Sequence, residues 1–204
     1  MNSPPRRIIL ASGNRGKLME LRGMFDGTGI ELIAQSELGI GDVEEIGLTF
    51  VENAILKARH AASASGLPTL ADDSGLCVDA LRGAPGLYSA RYAGVHGDSA
   101  ANNARLLHEL EAVPDEKRGA YFVCVLALLQ SSDDPDPIIA EGRWFGTILR
   151  APRGTCGFGY DPVVLPNDGD GASAGELDPA LKNRISHRGQ ALARLRNMLG
   201  TRGH

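Results

Sequence analysis

Two adjacent carboxylates, Asp72 and Asp73, close a short apolar run (Leu67, Leu70, Ala71) and precede Ser74-Gly75. A carboxylate buried without a partner is costly, so such a pair implies a cation, a cage of hydrogen bonds or open solvent. Two readings stand. In one, a buried strand ends by delivering acids to an active-site edge, where a hard divalent ion links them to phosphate oxygens. In the other, Asp-Asp-Ser-Gly is ordinary turn chemistry. Side chains alternate along a strand, so only one of the pair can point at a given ligand while the other faces away or caps a turn.

A second chemical stretch is Ser12-Gly-Asn-Arg-Gly-Lys17. It follows the apolar run Ile8–Ala11 and precedes Leu18, Leu21, Met24 and Phe25 at helical spacing. Strand, glycine-containing loop and helix form a phosphate-binding arrangement, because loop amides and the helix N-terminus supply donors and positive potential. Lys17 adds a full charge. The spacing is not that of a Walker A loop, and a plain strand-to-helix connection competes with this reading. Glu45 lies in the polar loop Gly39 to Gly47 with Asp42 and Glu44. Thr49 and Glu52 then match a capping box for a helix that stops near Gly66 and carries Asn53 and Lys57 on one face. Glu45 and Lys57 could flank one pocket from opposite ends of that element; the alternative for Lys57 is a solvated surface lysine.

The last third holds Gly157-Phe-Gly-Tyr-Asp161-Pro162. Glycines there let a ligand approach the backbone, and Phe158 suits base stacking, worth about 1–3 kcal/mol. His187-Arg188 open the final helix, where the dipole disfavours cations. Such a conflict between local rules marks a functional position, unless both side chains point into water.

The elements that must position these groups read as follows. Strands are expected at Ile8–Ala11, Glu31–Ala34, Tyr121–Leu129 and, as one bent strand or two short ones, within Ile138–Leu149. Asp98 caps a helix with Leu106, Leu107 and Leu110; Asp178-Pro179 start a helical segment through Lys182; Ser186 caps a last helix closed by Gly200. The long Gly- and Pro-rich run from Gly83 to Gly97, with Tyr88, Arg91 and Tyr92, has the length of a functional loop. His108 reads as a surface residue, and Asp168-Gly-Asp-Gly171 as a flexible surface turn. The middle part, about 118–150, is the most β-rich and could form a second lobe. The 204 residues are expected to make one large domain or two tightly joined lobes, with no repeats and no linker.

Hydrophobic residues at 43% and charged residues at 23% describe an ordinary globular composition. A net charge of −4 argues against a duplex nucleic-acid binder but leaves room for a small phosphorylated ligand. Cys77, Cys124 and Cys156 show neither a disulfide framework nor zinc spacing, which points to a reducing compartment. From Met1 onward there is no apolar segment of signal-peptide or membrane-span length, so the expected address is the cytoplasm, with no membrane partner.

Six stretches occur together and in one order: Ser12-Gly-Asn-Arg-Gly-Lys17; Glu44-Glu45 with Thr49-Phe50, Glu52-Asn53-Ala54 and Lys57-Ala58; Ala71-Asp-Asp-Ser-Gly75; Gly83-Ala-Pro-Gly86 with Tyr88-Ser-Ala-Arg91-Tyr92; Phe158-Gly-Tyr-Asp-Pro162; and Ser186-His-Arg-Gly-Gln190. From about Ile8 to Leu199 the chain resembles the inosine/xanthosine triphosphate pyrophosphatases, which remove deaminated purine nucleotides. Two positions depart from that pattern, Cys156 in place of a small residue and Gly175 before Glu176; neither removes a candidate ligand.

The resemblance implies an α/β fold, two-lobed, with a long central mixed β-sheet flanked by helices and an active-site cleft between lobes. It also implies a homodimer that uses Mg2+ to hydrolyse ITP, dITP and XTP to the monophosphate and pyrophosphate. Carried over by motif, Ser12, Gly13, Asn14, Arg15, Gly16 and Lys17 would hold the triphosphate, with Lys57 beside them. Glu45 and Asp73 would coordinate the metal, and Asp73 would also be the general base. Ser74 would touch substrate, Phe158 would stack on the base, and Gly159, Tyr160, Asp161, Lys182, His187 and Arg188 would complete the purine pocket. Two other classes fit part of the pattern: a pyrophosphatase of modified pyrimidine or methylated nucleotides, and a non-catalytic nucleotide sensor, which would not need Glu45 with Asp73. Single-stranded nucleic-acid binding stands further off because of the acidic balance.

Overall fold

The computed structural model describes residues 6–202. The expectation that the chain from Met1 leads directly into the first strand concerns, up to Pro5, residues outside that range. Eleven regular elements follow in order among the described residues: β1 (Arg6–Ala11), α1 (Arg15–Phe25), β2 (Ile30–Ala34), α2 (Phe50–Ser65), β3 (Thr69–Val78), α3 (Ser99–Glu109), β4 (Gly119–Leu129), β5 (Ile138–Ile148), β6 (Val164–Pro166), α4 (Pro179–Ile185) and α5 (His187–Arg202). The strands make a six-stranded sheet in the order β2-β1-β3-β4-β5-β6. It is mixed, with β1 parallel to both β2 and β3, and β5 antiparallel to β6. None of the described helices is long and apolar enough to cross a membrane.

Two compact units divide the chain. One takes in the described residues up to Asp73, Val125–Glu141 and the chain from Ala191; the other comprises Ser74–Cys124 and Gly142–Gln190. In the first unit Ile8, Ile9 and Leu10 are buried on β1, and Leu21 and Phe25 on α1. The alanine face of α2 (Ala54, Ala58, Ala61, Ala62) lets that helix lie close against β1. The side chain of Thr49 caps α2, and Glu52 returns to the Leu48 amide and the Thr49 hydroxyl. In the second unit Leu76, Val78, Tyr92, Leu106, Leu110, Phe122, Trp144, Tyr160 and Val163 form one cluster. Arg118 is fully buried beside it; its guanidinium donates to the carbonyls of Leu110, Ile148 and Leu149, so that each of its three nitrogens bonds a carbonyl in place of an ion pair.

Three local expectations change. The carboxylate pair is neither a turn nor a strand end, because β3 continues through Asp72 and Asp73 to Val78. Asp98, Asp178 and Ser186 cap as expected, but the final helix does not close at Gly200 and runs on to Arg202. The segment from Gly83 to Gly97 contains a single 3-10 stretch, Gly86–Arg91, tied down by Asn102 of α3, whose side chain bonds Ala93, Ala90 and Ser89.

Candidate active site

Two groups of polar side chains gather, one in each unit. In the first unit the site begins with strand order. The chain leaves β1 for β2 on one side and comes back past it to β3 on the other. The C-terminal end of β1 is therefore a topological switch point, the place where open α/β sheets bind ligands. Ala11 pairs with Ala71, so the loop that begins at Ser12 emerges level with Asp72. In that loop the Ser12 hydroxyl accepts from the Asn14 amide at 3.3 Å, and the Asn14 side chain caps α1 by accepting from the Lys17 amide at 3.1 Å. Gly13 is required by close approach: a Cβ there would fall inside contact distance of the Asp42 carboxylate, which Gln35 holds at 2.5 Å. Arg15 is exposed at the helix start, beside half-buried Gly16.

Right-handed crossovers carry α1 and α2 to opposite faces of the sheet, and strand alternation does the same for Asp72 and Asp73. Each carboxylate meets one helix. Lys17 Nζ of α1 lies 2.5 Å from Asp72 Oδ1, and Lys57 Nζ of α2 lies 2.7 Å from Asp73 Oδ1 and 2.7 Å from Glu45 Oε1. Lys57 is therefore no solvated surface lysine. The loop bearing Glu45 is fixed by three bonds: Gln35 to Asp42, the His60 ring to the Gly41 carbonyl, and the Gly47 amide to the Asn53 side chain.

Burial is the largest influence on both members of the central pair. It pushes the Asp73 carboxyl above its ordinary range, and the ammonium groups of Lys57 and Lys17 recover only part of that shift. Burial acts to lower Lys57, but Asp73 and Glu45 together outweigh it and hold the lysine above its usual value. The ammonium form of Lys57 is thus favoured, and the basicity of Asp73 is raised.

Two ammonium groups against three carboxylates leave the cluster with one net negative charge. Alone it would repel a polyphosphate; one divalent ion reverses the sign. Among the described residues no three His, Cys, Asp or Glu side chains gather into a metal cage. Glu45 and Asp73, drawn to one Nζ, instead offer the one or two carboxylates that a small hard ion takes when phosphate and water oxygens complete its shell.

In the second unit the loop before β6 is built around Asp161. Its Oδ2 accepts from the Phe158 amide and from Lys182 Nζ, each at 2.7 Å. Gly157 has φ of +77°, and a Cβ there would overlap that carboxylate, so glycine is needed both for conformation and for space. Lys182 Nζ stands 5.1 Å from the Phe158 ring centroid and the Arg188 guanidinium 5.8 Å. Arg188 also donates to the Ser74 hydroxyl at 3.1 Å. Neither His187 nor Arg188 points into water: they are 5% and 1% exposed. The His187 ring stacks on Phe122 at 4.9 Å, with Trp144 beyond it at 6.5 Å. Aromatic packing therefore explains how α5 accommodates an imidazole in its first turn.

Tyr160 does not present its hydroxyl to a ligand; the hydroxyl is committed to the Ser89 carbonyl at 2.9 Å. The Gly159 carbonyl accepts from Asn103 of α3 at 3.0 Å. Three successive residues of β3 thus each hold one basic side chain: Asp72 takes Lys17, Asp73 takes Lys57, and Ser74 takes Arg188.

Sequence reasoning gave no role to Asp42 or Asn103, and to one of Asp72 and Asp73 only that it faces away or caps a turn. For Asn103 there was a signal, since two adjacent asparagines inside a helix are poor helix formers and both are buried. For Asp72 the signal was the alternation itself, which requires a second partner on the opposite face. The two departures from the resembled pattern, Cys156 and Gly175, bond to each other, the Cys156 amide donating to the Gly175 carbonyl at 2.8 Å.

A profile described as the Ham1 family matches residues 8–198. A dITP/XTP pyrophosphatase of Xanthomonas campestris pv. campestris (strain 8004) is 58% identical over 194 residues, covering 95% of this chain and 97% of the relative. One of the same name from Xylella fastidiosa (strain 9a5c) is 54% identical over 196 residues, covering 96% and 98%. The solved structure of a HAM1 protein from Coxiella burnetii aligns with a TM-score of 0.87 at 49% identity, covering 96% of this chain and 99% of that one.

Proposed function

This chain belongs to the Ham1 family, and from that premise we propose that it hydrolyses deaminated purine nucleoside triphosphates (dITP, ITP and XTP) to the monophosphate and pyrophosphate. The observation that carries the proposal is the cluster at the end of β1: a phosphate-type loop beside two lysines and three carboxylates, short of positive charge until a divalent ion joins it.

Ser12, Gly13, Asn14, Arg15, Gly16 and Lys17 receive the phosphates through loop amides, the start of α1 and the lysine charge. Lys57 neutralises charge that spreads over the phosphoryl oxygens as the anhydride breaks, the largest kind of contribution such a site makes. Asp73 accepts the proton of the attacking water, a task suited to a carboxylate whose basicity burial has raised. Glu45 and Asp73 would hold a divalent metal, Mg2+, which would supply neutralisation of the phosphate charge. Asp73 cannot be both a strong ligand and a free base without compromise, and a water held by the metal would let it serve both roles.

In the base subsite Phe158 stacks on the purine, and Asp161 orders the backbone at Phe158 and the ammonium of Lys182. Gly159 and Tyr160 shape the loop; His187, held in its aromatic stack, fixes the first turn of α5 from which Arg188 extends. Ser74 steadies Arg188 and lies next to the base residue in the chain. Hypoxanthine and xanthine carry an oxygen acceptor at C6 where adenine carries an amine donor. Donors fixed there, Arg188 or Lys182, would be left unpaired by ATP, and such mismatches discriminate strongly. The protein acts as a cytoplasmic homodimer.

The test is hydrolysis of ITP, XTP, dITP, GTP and ATP with magnesium, reading monophosphate, pyrophosphate and orthophosphate separately. Turnover of the inosine and xanthosine nucleotides to pyrophosphate is expected, with ATP far behind. Release of orthophosphate alone, or equal use of ATP, would overturn the assignment.

A further inference from the structure

Lys17 has two ends to fix if its charge is to stand in one place. Its backbone amide is held by Asn14, the cap of α1. Its ammonium is held by Asp72, whose side chain is wholly buried while that of Lys17 is 14% exposed. A side chain as flexible as lysine gives up much rotamer freedom when it is ordered, a cost met at each binding event unless the protein has already met it. The pairing of Ala11 with Ala71 sets Asp72 beside the start of the loop, so a carboxylate at this register reaches the lysine without reaching into the loop.

We infer that Asp72, on the function proposed above, is a positioning residue: buried behind the phosphate loop, it fixes the Lys17 ammonium for the transition state without touching substrate. The argument is one of opposing effects. A carboxylate here lowers the positive potential of a site that must bind a polyanion, and so works against binding. That disadvantage is offset only if the oriented charge is worth more as the anhydride breaks than in the bound ground state. Asp73, one residue on, has a different partner on the other face and a different task; the adjacent acids are not interchangeable.

A double-mutant cycle tests this. Asp72→Asn keeps the shape and removes the charge; kcat for ITP should fall roughly 10- to 100-fold, the scale of a misplaced group, while KM stays level or drops. Lys17→Met should lower kcat at least as far and raise KM. In the double variant the Asp72→Asn loss should vanish into that of Lys17→Met, since one acts through the other. Losses that multiply, or an Asp72→Asn variant with raised KM and unchanged kcat, would overturn the inference. If Asp72→Asn does not fold, the same cycle is run with Asp72→Glu, where the same collapse of effects is expected. A readout free of turnover is the lysine ammonium signal in a proton–nitrogen spectrum, identified by its disappearance in Lys17→Met: ordered in the parent protein, averaged in Asp72→Asn. An equally ordered signal in both refutes the positioning role. A parent protein that cleaves no purine nucleotide refutes the proposed function instead, and the spectrum still decides on Asp72.

Discussion

The acidic cluster of the first unit and the Phe158 loop of the second treat charge in opposite ways. At the end of β1, two lysines and three carboxylates pair with one another on regular elements or a fixed loop: Lys17 with Asp72, Lys57 with Asp73 and Glu45. Around Phe158 two cations, Lys182 and Arg188, stand over one aromatic ring, Lys182 bonded to the Asp161 carboxylate and Arg188 to the Ser74 hydroxyl. The first arrangement suits a reaction whose charge changes as bonds break. The second suits recognition, where donors are set around an apolar surface and the ligand is judged by its edge. Substitutions in the first should act on kcat and those in the second on KM and base choice.

The largest effect is expected from Asp73→Asn. Loss of a general base costs about 10²–10⁴-fold in rate, and KM should change little. Equal losses in KM and kcat would blur the contrast between the two regions. The same residue sets a pH dependence. Burial raises its carboxyl above the ordinary value of 3.8, chiefly against the pull of Lys57, so the neutral form is favoured in the folded protein. In the metal-free protein the anion is therefore lost on acidification at a pH above 3.8, as a carboxyl titration followed by NMR should show. In Lys57→Met, which removes the stronger of the two lowering charges, that titration should move upward; a downward move would contradict this account.

Phe158→Ala comes next. Removing a stacking surface worth about 1–3 kcal/mol should raise KM by roughly 5- to 150-fold, with kcat much less affected. Steady-state kinetics on ITP and XTP separate the two, and a kcat-only defect would show that the ring serves chemistry rather than recognition. The smallest effect belongs to Asn103→Ala, which deprives the Gly159 carbonyl of its donor. A net hydrogen bond is worth about 1 kcal/mol, so KM should rise about fivefold while the ITP-to-ATP preference narrows. Thermal melting should be run beside it, because a loss of stability without a change in KM would confine Asn103 to the fold.

What the sequence disclosed was mostly local. Caps at Thr49, Asp98, Asp178 and Ser186 could be read because a cap is satisfied within three or four residues. The course of β3 could not, since Asp-Asp-Ser-Gly favours a turn in isolation and only neighbouring strands keep it extended. The candidate residues were nameable from their motifs, but their partners were not. Lys17 and Asp72 lie far apart in the chain, as do Ser74 and Arg188, and their meeting is fixed by strand order and register rather than by spacing. Asp42 stayed hidden among the acids of a polar loop because its task, filling the space that Gly13 leaves, is visible only in three dimensions.

Because Asp72, Asp73 and Ser74 serve Lys17, Lys57 and Arg188 in that order, β3 works like the bitting of a key. Deleting or inserting one residue upstream in the strand would leave an extended segment in place while handing every basic group the wrong neighbour. Small length changes in this strand should therefore be far less tolerated than point substitutions of similar size, and circular permutants or loop grafts of this chain should keep Thr69–Val78 intact.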